Sequence, residues 1–327
     1  MHSVKGFYWT PPPDQCDEQL ELISESGANT VIVPHASVNR DLLRRIKGGG
    51  LTNNIDMALF SGAQLREEYT DCAPFDEHGR IVPNDDWYVP VCPNNPHVRT
   101  KHLHTLTALL DDHRTDIDGV WLDFIRFPVR WEKQHPDLRL ACFCNHCLNL
   151  FLKDEQKAYS DAARVSLATS ILRDRYDEWV TWKCRQIAEF VSTIRRLLRE
   201  GDQQLELGLF CLPWRPQDFD GAITAIAGQD VEQLALTADC LSPMVYHKLC
   251  DRDVPWLGDV VQDLRSRIPK PVLPAVQSLD HPATLSVKEF AQSIDLAMDA
   301  SDYGVIIFDF DSVQASPDKL AVVHERF

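Results

Sequence analysis

The chain has 327 residues, with 33 lysines and arginines against 49 aspartates and glutamates, so its formal net charge is −16. This acidic balance argues against a nucleic-acid-binding face or docking on an anionic membrane, both of which need clustered positive charge. It favours a soluble protein and a neutral or cationic ligand. No apolar run approaches the roughly 18 residues of a membrane span, and the opening MHSVKGFYWT lacks the apolar core of a secretory signal.

The ten cysteines are a small fraction of the chain, and most of them sit in apolar segments. This pattern favours reduced, buried thiols in a cytoplasmic protein. A trimmed secreted protein with some disulfides is the alternative.

Apolar strand patterns and amphipathic helical patterns alternate along the whole chain. The first half is predicted to contain, in chain order, strand 4–9, helix 13–29, strand 30–35, helix 39–50, strand 55–62, an irregular stretch 63–94, helix 96–113 and strand 118–128. The second half is predicted to contain an irregular stretch 129–147, one or two helices over 161–200, strand 204–213, helical sequence 221–238, strand 240–247, helix 256–268, strand 271–278, helix 286–301, strand 304–311 and a short final helix.

Eight strands that are each followed by helical sequence predict an α/β protein, a single (β/α)8 TIM barrel over residues 1–327. A doubly wound open sheet is the alternative, but it would need a glycine-rich phosphate turn after the first strand. The segment FYWTPPPDQ contains no glycine at that turn. The two irregular stretches, after strands three and four, are predicted to be insertions that wall a site.

Polar and aromatic residues end most of the predicted strands, where barrel enzymes place their active sites. They are Tyr8, Trp9, His35, Gln64, Asp123, Arg126, Trp214, Tyr246, His247, Gln277, Asp309 and Asp311. Aromatic faces can stack on sugar rings, carboxylates and amides can bind hydroxyls, and a pair of carboxylates can cleave a glycosidic bond. The set therefore predicts a carbohydrate site.

Asp123 is the main catalytic candidate because a carboxylate on a barrel strand is costly unless it is paired or faces a solvated cleft. Arg126, three residues on, would set its charge or orient a substrate; the alternative is that the two form a structural ion pair. The second carboxylate is predicted to be Asp309 or Asp311, because alternation along FDFD puts both on one face of strand eight. The alternative roles for these two are helix capping and binding of backbone amides. Glu67 and Glu68 are reserve candidates, although a solvated loop is the simpler interpretation for them.

DGVWLDFIRFP (118–128) resembles the strand-four motif of a group of glycoside-hydrolase-like TIM barrels, in which the segment reads DG-x-x-LD-Y-I-R-F/Y-P. Further segments similar to that group are CPNNPHVR (92–99), CFCNHCLNLF (142–151), LSPMVYH (241–247) and GVIIFDFDS (304–312). The resemblance spans strands three to eight and implies a glycosidase-like fold with Asp123 as the catalytic carboxylate. The chitinase pattern DG-x-D-x-D-x-E is not met. Asp123 matches its last Asp, but Trp121 and Ile125 stand where the pattern has the preceding Asp and the final Glu.

CFCNHC offers the candidate zinc ligands Cys142, Cys144, His146 and Cys147, with Cys92 or Cys72 needed to complete a set. Residues this close together are not expected to face one ion easily, and a packed thiol loop is the favoured interpretation, with no metal. The spacing also departs from the CxxxCxxC of radical iron–sulfur barrels. No phosphate-binding loop or G-x-S-x-G elbow occurs, and no cofactor is expected.

These patterns predict a glycoside hydrolase that acts on an oligo- or polysaccharide, with Asp123 as nucleophile or acid/base and Asp309 or Asp311 as its partner. The substrate-binding walls are predicted to be Tyr8, Trp9, His35, Arg126, Trp214, Tyr246, His247 and Gln277. The alternative is a non-catalytic carbohydrate-binding barrel that has lost one carboxylate. A third class is a zinc-supported scaffold.

Overall fold

The computed structural model describes residues 3–12, 14–85, 87–154, 157–201 and 203–327. Eight parallel strands form one sheet. They are β1 (Val4–Tyr8), β2 (Thr30–Pro34), β3 (Thr52–Ala58), β4 (Gly119–Asp123), β5 (Glu206–Cys211), β6 (Cys240–Pro243), β7 (Ala275–Gln277) and β8 (Gly304–Phe308). No helix within the described ranges is both long and apolar enough to cross a bilayer.

The sheet closes on itself into a barrel. Its strand order is β6-β5-β4-β3-β2-β1-β8-β7, and two parallel bridges, Leu241 to Val272 and Met244 to Ala275, join its two ends. Most strand residues are buried on both faces, as is typical of parallel strands covered by helices. The predicted (β/α)8 TIM barrel is confirmed.

Helices cover the outside of the barrel. They are α1 (Cys16–Glu25), α2 (Arg40–Gly48), α3 (Ala63–Glu68), α4 (Pro96–His113), α5 (Asn145–Leu152), α6 (Asp161–Asp174), α7 (Tyr176–Arg199), α8 (Ala222–Ala225), α9 (Val231–Ala235), α10 (Pro255–Arg267), α11 (Val287–Ala300), α12 (Phe310–Gln314) and α13 (Pro317–Arg326). Several begin at sequence-encoded caps: Asn39 caps α2, Asn95 caps α4, and Ser286 forms a capping box with Glu289 at α11.

Several element boundaries differ from those predicted. The third strand is Thr52–Ala58 and not 55–62, because its first half carries buried asparagines that do not read as an apolar run. The eighth strand ends at Phe308, before the two aspartates. The helices α3 and α5 lie in segments predicted to be irregular or left unassigned, and the helical stretch 161–200 divides into two helices. The first helix begins at Cys16; Pro13, where it was predicted to start, lies outside the described residues.

The chain segments 59–95 and 124–160, which follow β3 and β4, pack together into one unit, here called the insertion lobe. A bridge joins Asp76 to Ala141, and the backbone N–H of Phe143 donates to the carbonyl of Phe75 at 2.9 Å. The phenol oxygen of Tyr88 accepts a hydrogen bond from the backbone N–H of Val129 at 3.2 Å. The lobe therefore joins the two predicted insertions above neighbouring strands.

The barrel interior beneath the lobe is filled by a tryptophan that needs a glycine beside it. Trp121 of β4 is 1% exposed and pairs in register with Gly208 of β5. A Cβ at position 208 would overlap the Trp121 indole. Gly208 thus makes room for the largest side chain of the barrel core.

Candidate functional site

Two carboxylates lie side by side at the C-terminal end of the barrel. Asp123 is the last residue of β4 and pairs in register with Ala58 of β3, two residues beyond Asp56. Residues two apart on a strand share a face, so Asp56 lies just below Asp123 on the same side of the sheet. The Asp56 residue is 4% exposed and the Asp123 side chain 20% exposed.

Asp123 is held by groups that favour its charged form. One carboxylate oxygen accepts a hydrogen bond of 2.6 Å from the backbone N–H of Phe124, and Nη1 of Arg126 lies 3.8 Å from the same oxygen. Burial raises the pKa of Asp123, whereas Arg126 and the Phe124 N–H lower it. Phe124 has a positive φ of 51°, a strained backbone conformation that non-glycine residues retain mainly at functional sites.

Asp56 lies in a drier environment than Asp123. The Tyr8 phenol donates a hydrogen bond of 2.9 Å to its Oδ2, and its Oδ1 has no hydrogen-bond partner among the described residues. Burial, with the charge of Asp123, raises the pKa of Asp56 well above its usual value. The same burial, with Asp56 and Asp123 nearby, raises the pKa of Tyr8, which therefore remains a neutral donor.

Glu132, in the insertion lobe, is a third carboxylate of the site that the sequence analysis missed. Its side chain is 11% exposed, and its Oε2 lies 3.5 Å from Nε of Arg130. Burial raises its pKa, and Arg126 and Arg130 oppose that rise. Its only sequence signal is its place directly after Trp131 in a stretch predicted to be irregular.

Tyr246 links these groups electrostatically. It follows β6, and burial raises the pKa of its phenol well above the usual range. The negative charges that add to this rise come, in decreasing order, from Asp123, Glu132, Asp309 and Asp56. The Tyr246 phenol therefore lies near four carboxylates. Arg126 is the buried cation among them, and it lowers the pKa of both Asp123 and Glu132.

Aromatic rings surround the carboxylates. Tyr246 stacks on Phe308 with ring centroids 5.3 Å apart, and Tyr8 contacts the same ring at 5.1 Å. Trp131 of the insertion lobe contacts Tyr246 at 5.8 Å. At the rim, Trp87 is 53% exposed, and the Arg130 guanidinium lies 4.4 Å from the centre of its ring. The arrangement offers flat apolar surfaces next to carboxylates.

Several buried polar atoms around the site have no hydrogen-bond partner within the described ranges. They are Oδ1 of Asp56, Nε1 of Trp121, Nε and Nη1 of Arg126, and Nε1 of Trp131. Buried polar atoms are normally satisfied by protein, water or ligand.

Four other residues that the sequence predicts for the site lie together with Asp123: Tyr8, Arg126, Tyr246 and Asp309. Tyr8, Arg126 and Tyr246 are described above. Asp309 reaches Tyr246 electrostatically, but its side chain also accepts a hydrogen bond of 2.9 Å from the Ser312 N–H and caps α12. Asp309 and Asp311 were predicted to lie on one face of strand eight. This prediction is wrong, because β8 ends at Phe308, before both of them.

Three other predicted residues lie apart from the carboxylates. The Trp9 indole is fully buried and donates to Gln19 of α1 at 2.5 Å. Asp311 is exposed and accepts from the same Gln19 at 3.1 Å. His35 begins a 3-10 turn after β2, and burial together with the neighbouring His113 lowers its pKa.

The remaining predicted wall residues are tied to the protein itself. Gln277 accepts from the Leu249 N–H and donates to the Leu279 carbonyl, so its amide is used at both ends. His247 is 1% exposed, with Nδ1 3.5 Å from the Ser293 hydroxyl, and burial lowers its pKa.

Trp214 lines a small groove together with Trp131 and Trp256. The reserve candidates Glu67 and Glu68 lie on α3 and are exposed. Glu68 is paired with Lys101. Gln64, also on α3, is exposed as well.

The CFCNHC segment folds differently from expectation. The thiol groups of Cys142, Cys144 and Cys147 converge with that of Cys92, and all four sulfurs lie within 4.8 Å of one another. The expectation that residues so close in sequence cannot face one point is therefore wrong for the three cysteines. His146 is not part of the group, since its Nε2 lies 2.8 Å from Asp71 Oδ2.

No protein family model matches the chain, and no curated protein sequence matches it significantly. Among solved structures, the chain is similar to the glycoside hydrolase domain of PgaB (BpsB) from Bordetella bronchiseptica, with 11% identity, a TM-score of 0.73, and 98% of each chain covered. It is similar to the catalytic domain of β-amylase from Paenibacillus polymyxa, with 10% identity, a TM-score of 0.68, and 99% of this chain and 97% of that chain covered.

It is also similar to a β-galactosidase from the Antarctic haloarchaeon Halorubrum lacusprofundi, with 12% identity and a TM-score of 0.69 over 98% of this chain. There the chain spans 57% of the length of the matched protein. At these identities the similarity establishes the barrel fold.

Proposed function

We propose that the protein is a glycoside hydrolase in which Asp123 and Glu132 act as the catalytic pair. The observation that carries this proposal is their shared setting. Both are partly buried carboxylates at the C-terminal end of a barrel, and both interact with the Arg126 guanidinium and the Tyr246 phenol. Two carboxylates in unequal environments are what glycoside cleavage requires. The barrel fold shared with solved glycosidases is consistent with this chemistry.

The two carboxylates have different environments, which suggests different roles. Asp123 accepts the Phe124 N–H and faces Arg126, so it is suited to carry negative charge as nucleophile or base. Burial raises the pKa of both groups, and the charge of Asp123 adds to the rise at Glu132, so Glu132 is suited to hold a proton and donate it to the leaving-group oxygen. Asp309 is a weaker candidate for the acid because its carboxylate is already engaged at the start of α12.

Asp56 supports the pair without taking the place of either member. Burial and the charge of Asp123 raise its pKa, which favours its protonated form, and Tyr8 already occupies one of its oxygens. A neutral Asp56 leaves Asp123 as the charged member of the two neighbours. Its free Oδ1 can then hydrogen-bond Asp123 or a substrate hydroxyl.

The substrate class follows from the rim of the site. Trp87 presents an exposed ring next to Tyr88, whose ring stacks on Phe124 at 5.8 Å. A cleft of about 200 Å³ beside Tyr88 is lined by residues of both insertions, Arg130 among them. An exposed aromatic ring beside a cleft suits a sugar chain better than a monosaccharide.

The test is hydrolysis of a panel of oligosaccharides and aryl glycosides by the wild type, Asp123→Asn, Glu132→Gln and the control Asp311→Asn. Loss of cleavage in the first two variants, with the control unchanged, is the expected result. Cleavage that survives Asp123→Asn would overturn the proposal. Sugar binding without any cleavage by the wild type would establish a carbohydrate-binding barrel instead.

A further inference from the structure

Four buried thiols meet where the two halves of the insertion lobe join. Cys92 comes from the segment before α4, and Cys142, Cys144 and Cys147 come from the segment that enters α5. All four residues are at most 2% exposed. The sulfur of Cys92 lies 3.4 Å from that of Cys144 and 3.5 Å from that of Cys147.

These separations fit a single metal ion. Disulfide sulfurs are about 2.05 Å apart, and all ten cysteines of this chain are free. Four thiolates bound tetrahedrally at about 2.3 Å would place their sulfurs about 3.8 Å apart. The largest separation within the group is 4.8 Å, so a small adjustment of side chains is enough to coordinate one ion.

Donors around the sulfurs match a thiolate centre. The backbone N–H of Asn94 points at the Cys92 sulfur at 3.4 Å, and its side-chain amide donates to the Cys147 sulfur at 3.3 Å. N–H groups that donate to the sulfurs in this way stabilise negative charge on metal-bound thiolates. Asn94 is itself fixed by Arg99, which donates to its Oδ1 at 2.8 Å.

Two cations, the buried Lys183 and the partly buried Arg99, lie close to the thiol group. Lys183 of α7 is fully buried and donates to two neutral carbonyls, those of Ala225 and Ile226, at 2.9 and 2.8 Å. Its charge interacts with Cys142 and Cys147, and that of Arg99 interacts with Cys92 and Cys147. A buried cation needs a compensating anion. A metal ion with four thiolates carries two net negative charges and would balance both.

We propose that Cys92, Cys142, Cys144 and Cys147 bind one structural zinc ion. Zinc is the ion that a closed tetrahedral set of four thiolates favours. The site is structural rather than catalytic because all four ligands come from the protein and no position is open to water or substrate. This inference does not depend on the proposed function.

The zinc would fix the geometry of the candidate active site from a distance. The Nζ of Lys183 lies 4.6 Å from the centre of the Phe127 ring, and Phe127 directly follows Arg126. The ion would also clamp the β3 insertion to the β4 insertion at a point separate from their backbone contacts.

The primary test is metal analysis of the full-length wild type, purified without a metal-affinity tag and dialysed against a weak chelator. We expect about one zinc per chain, which Cys147→Ser would lose and which Cys211→Ser, a buried cysteine outside the group, would retain. A metal-free wild type that fails to take up added zinc would overturn the proposal. Iron in place of zinc would overturn it as well.

A second measurement avoids variants that fail to fold. Wild-type protein exchanged with cobalt is expected to show the visible bands of a tetrahedral tetrathiolate site, and native mass spectrometry is expected to show one bound ion. A mass that instead indicates two disulfides among the four cysteines would contradict the proposal.

Discussion

Asp56 and Asp123 occupy neighbouring strands of the barrel on one face, with Asp123 opposite Ala58 and Asp56 two residues below it. The charge of Asp123 raises the pKa of Asp56, and Arg126 together with the Phe124 N–H counteracts the rise in the pKa of Asp123. Burial raises the pKa of both carboxyl groups, but the neighbouring cation and backbone donor act on Asp123, which is therefore the better placed of the two to carry negative charge.

Asp56→Asn is expected to stabilise the protein at neutral and alkaline pH. A carboxyl group whose pKa is raised by folding binds more protons in the native than in the unfolded state, so stability falls as the pH rises above the unfolded value of about 3.9. Asparagine does not ionise, so the substitution removes this loss of stability at higher pH. Its side-chain oxygen can still accept the hydrogen bond from Tyr8. Thermal unfolding from pH 4 to 9 should show a flatter pH dependence for the variant. An equal loss of stability at every pH would mean that the carboxyl group contributes by contacts and not by its proton.

Glu132→Gln is expected to lower kcat about 100-fold or more on substrates with poor leaving groups, because general acid catalysis contributes about that much. Aryl glycosides with strongly acidic phenols need little protonation and should retain most of their rate. The alkaline limb of the kcat/KM profile, where Glu132 loses its proton, should disappear in the variant. Equal losses on both kinds of substrate would exclude Glu132 as the acid.

Trp87→Ala is expected to raise KM for long oligosaccharides roughly fivefold with little change in kcat, since stacking of one aromatic ring on a ligand contributes about 1 kcal/mol. Because the side chain is 53% exposed, the free energy of unfolding should change by less than about 0.5 kcal/mol. Leu236→Ala, at an 80% exposed position, serves as the control. If short and long substrates are affected alike, the ring does not serve as an outer sugar platform.

Glu206→Gln is expected to stabilise the protein above pH 7. Glu206 begins β5, and burial together with Asp239 raises its pKa to about 7. Its contribution is favourable below the unfolded pKa of about 4.3 and is lost as the pH rises through about 7. The gain at pH 9 should not exceed about 4 kcal/mol. Denaturant unfolding at pH 5 and pH 9 measures it, and a difference that does not grow with pH would contradict the assignment.

Two glycine substitutions are expected to act in opposite directions. Gly208→Ala forces a methyl group into the Trp121 indole and should cost about 1–3 kcal/mol, as overpacking does. Gly258→Ala, inside α10 with nothing within 4 Å of the new methyl group, should stabilise by about 0.5–1 kcal/mol. Chemical denaturation of both variants tests the pair; stabilisation by Gly208→Ala would mean that Trp121 can move.

The barrel could be predicted from the sequence because its strands are short buried apolar runs, and Asp123 stood out as a carboxylate at the end of one of them. Asp56 was missed because polar side chains on β3 obscured the strand, although Asn54 and Asp56 alternate as residues facing a barrel interior do. Glu132 was missed because no periodicity marks an insertion. The meeting of Cys92 with the later cysteines is a tertiary contact over 50 residues, which spacing alone does not encode.

The joining of the β3 and β4 insertions into one lobe bears on how such a protein can be recombined or diversified. Three contacts join the insertions. Asp76 pairs with Ala141, Phe75 accepts a hydrogen bond from Phe143, and Tyr88 accepts one from Val129. A chimera that exchanges only one of these segments separates partners that pack together and leaves backbone groups unmatched. Exchange of both as a unit keeps every one of those contacts. The lobe is thus the natural unit of transfer between barrels.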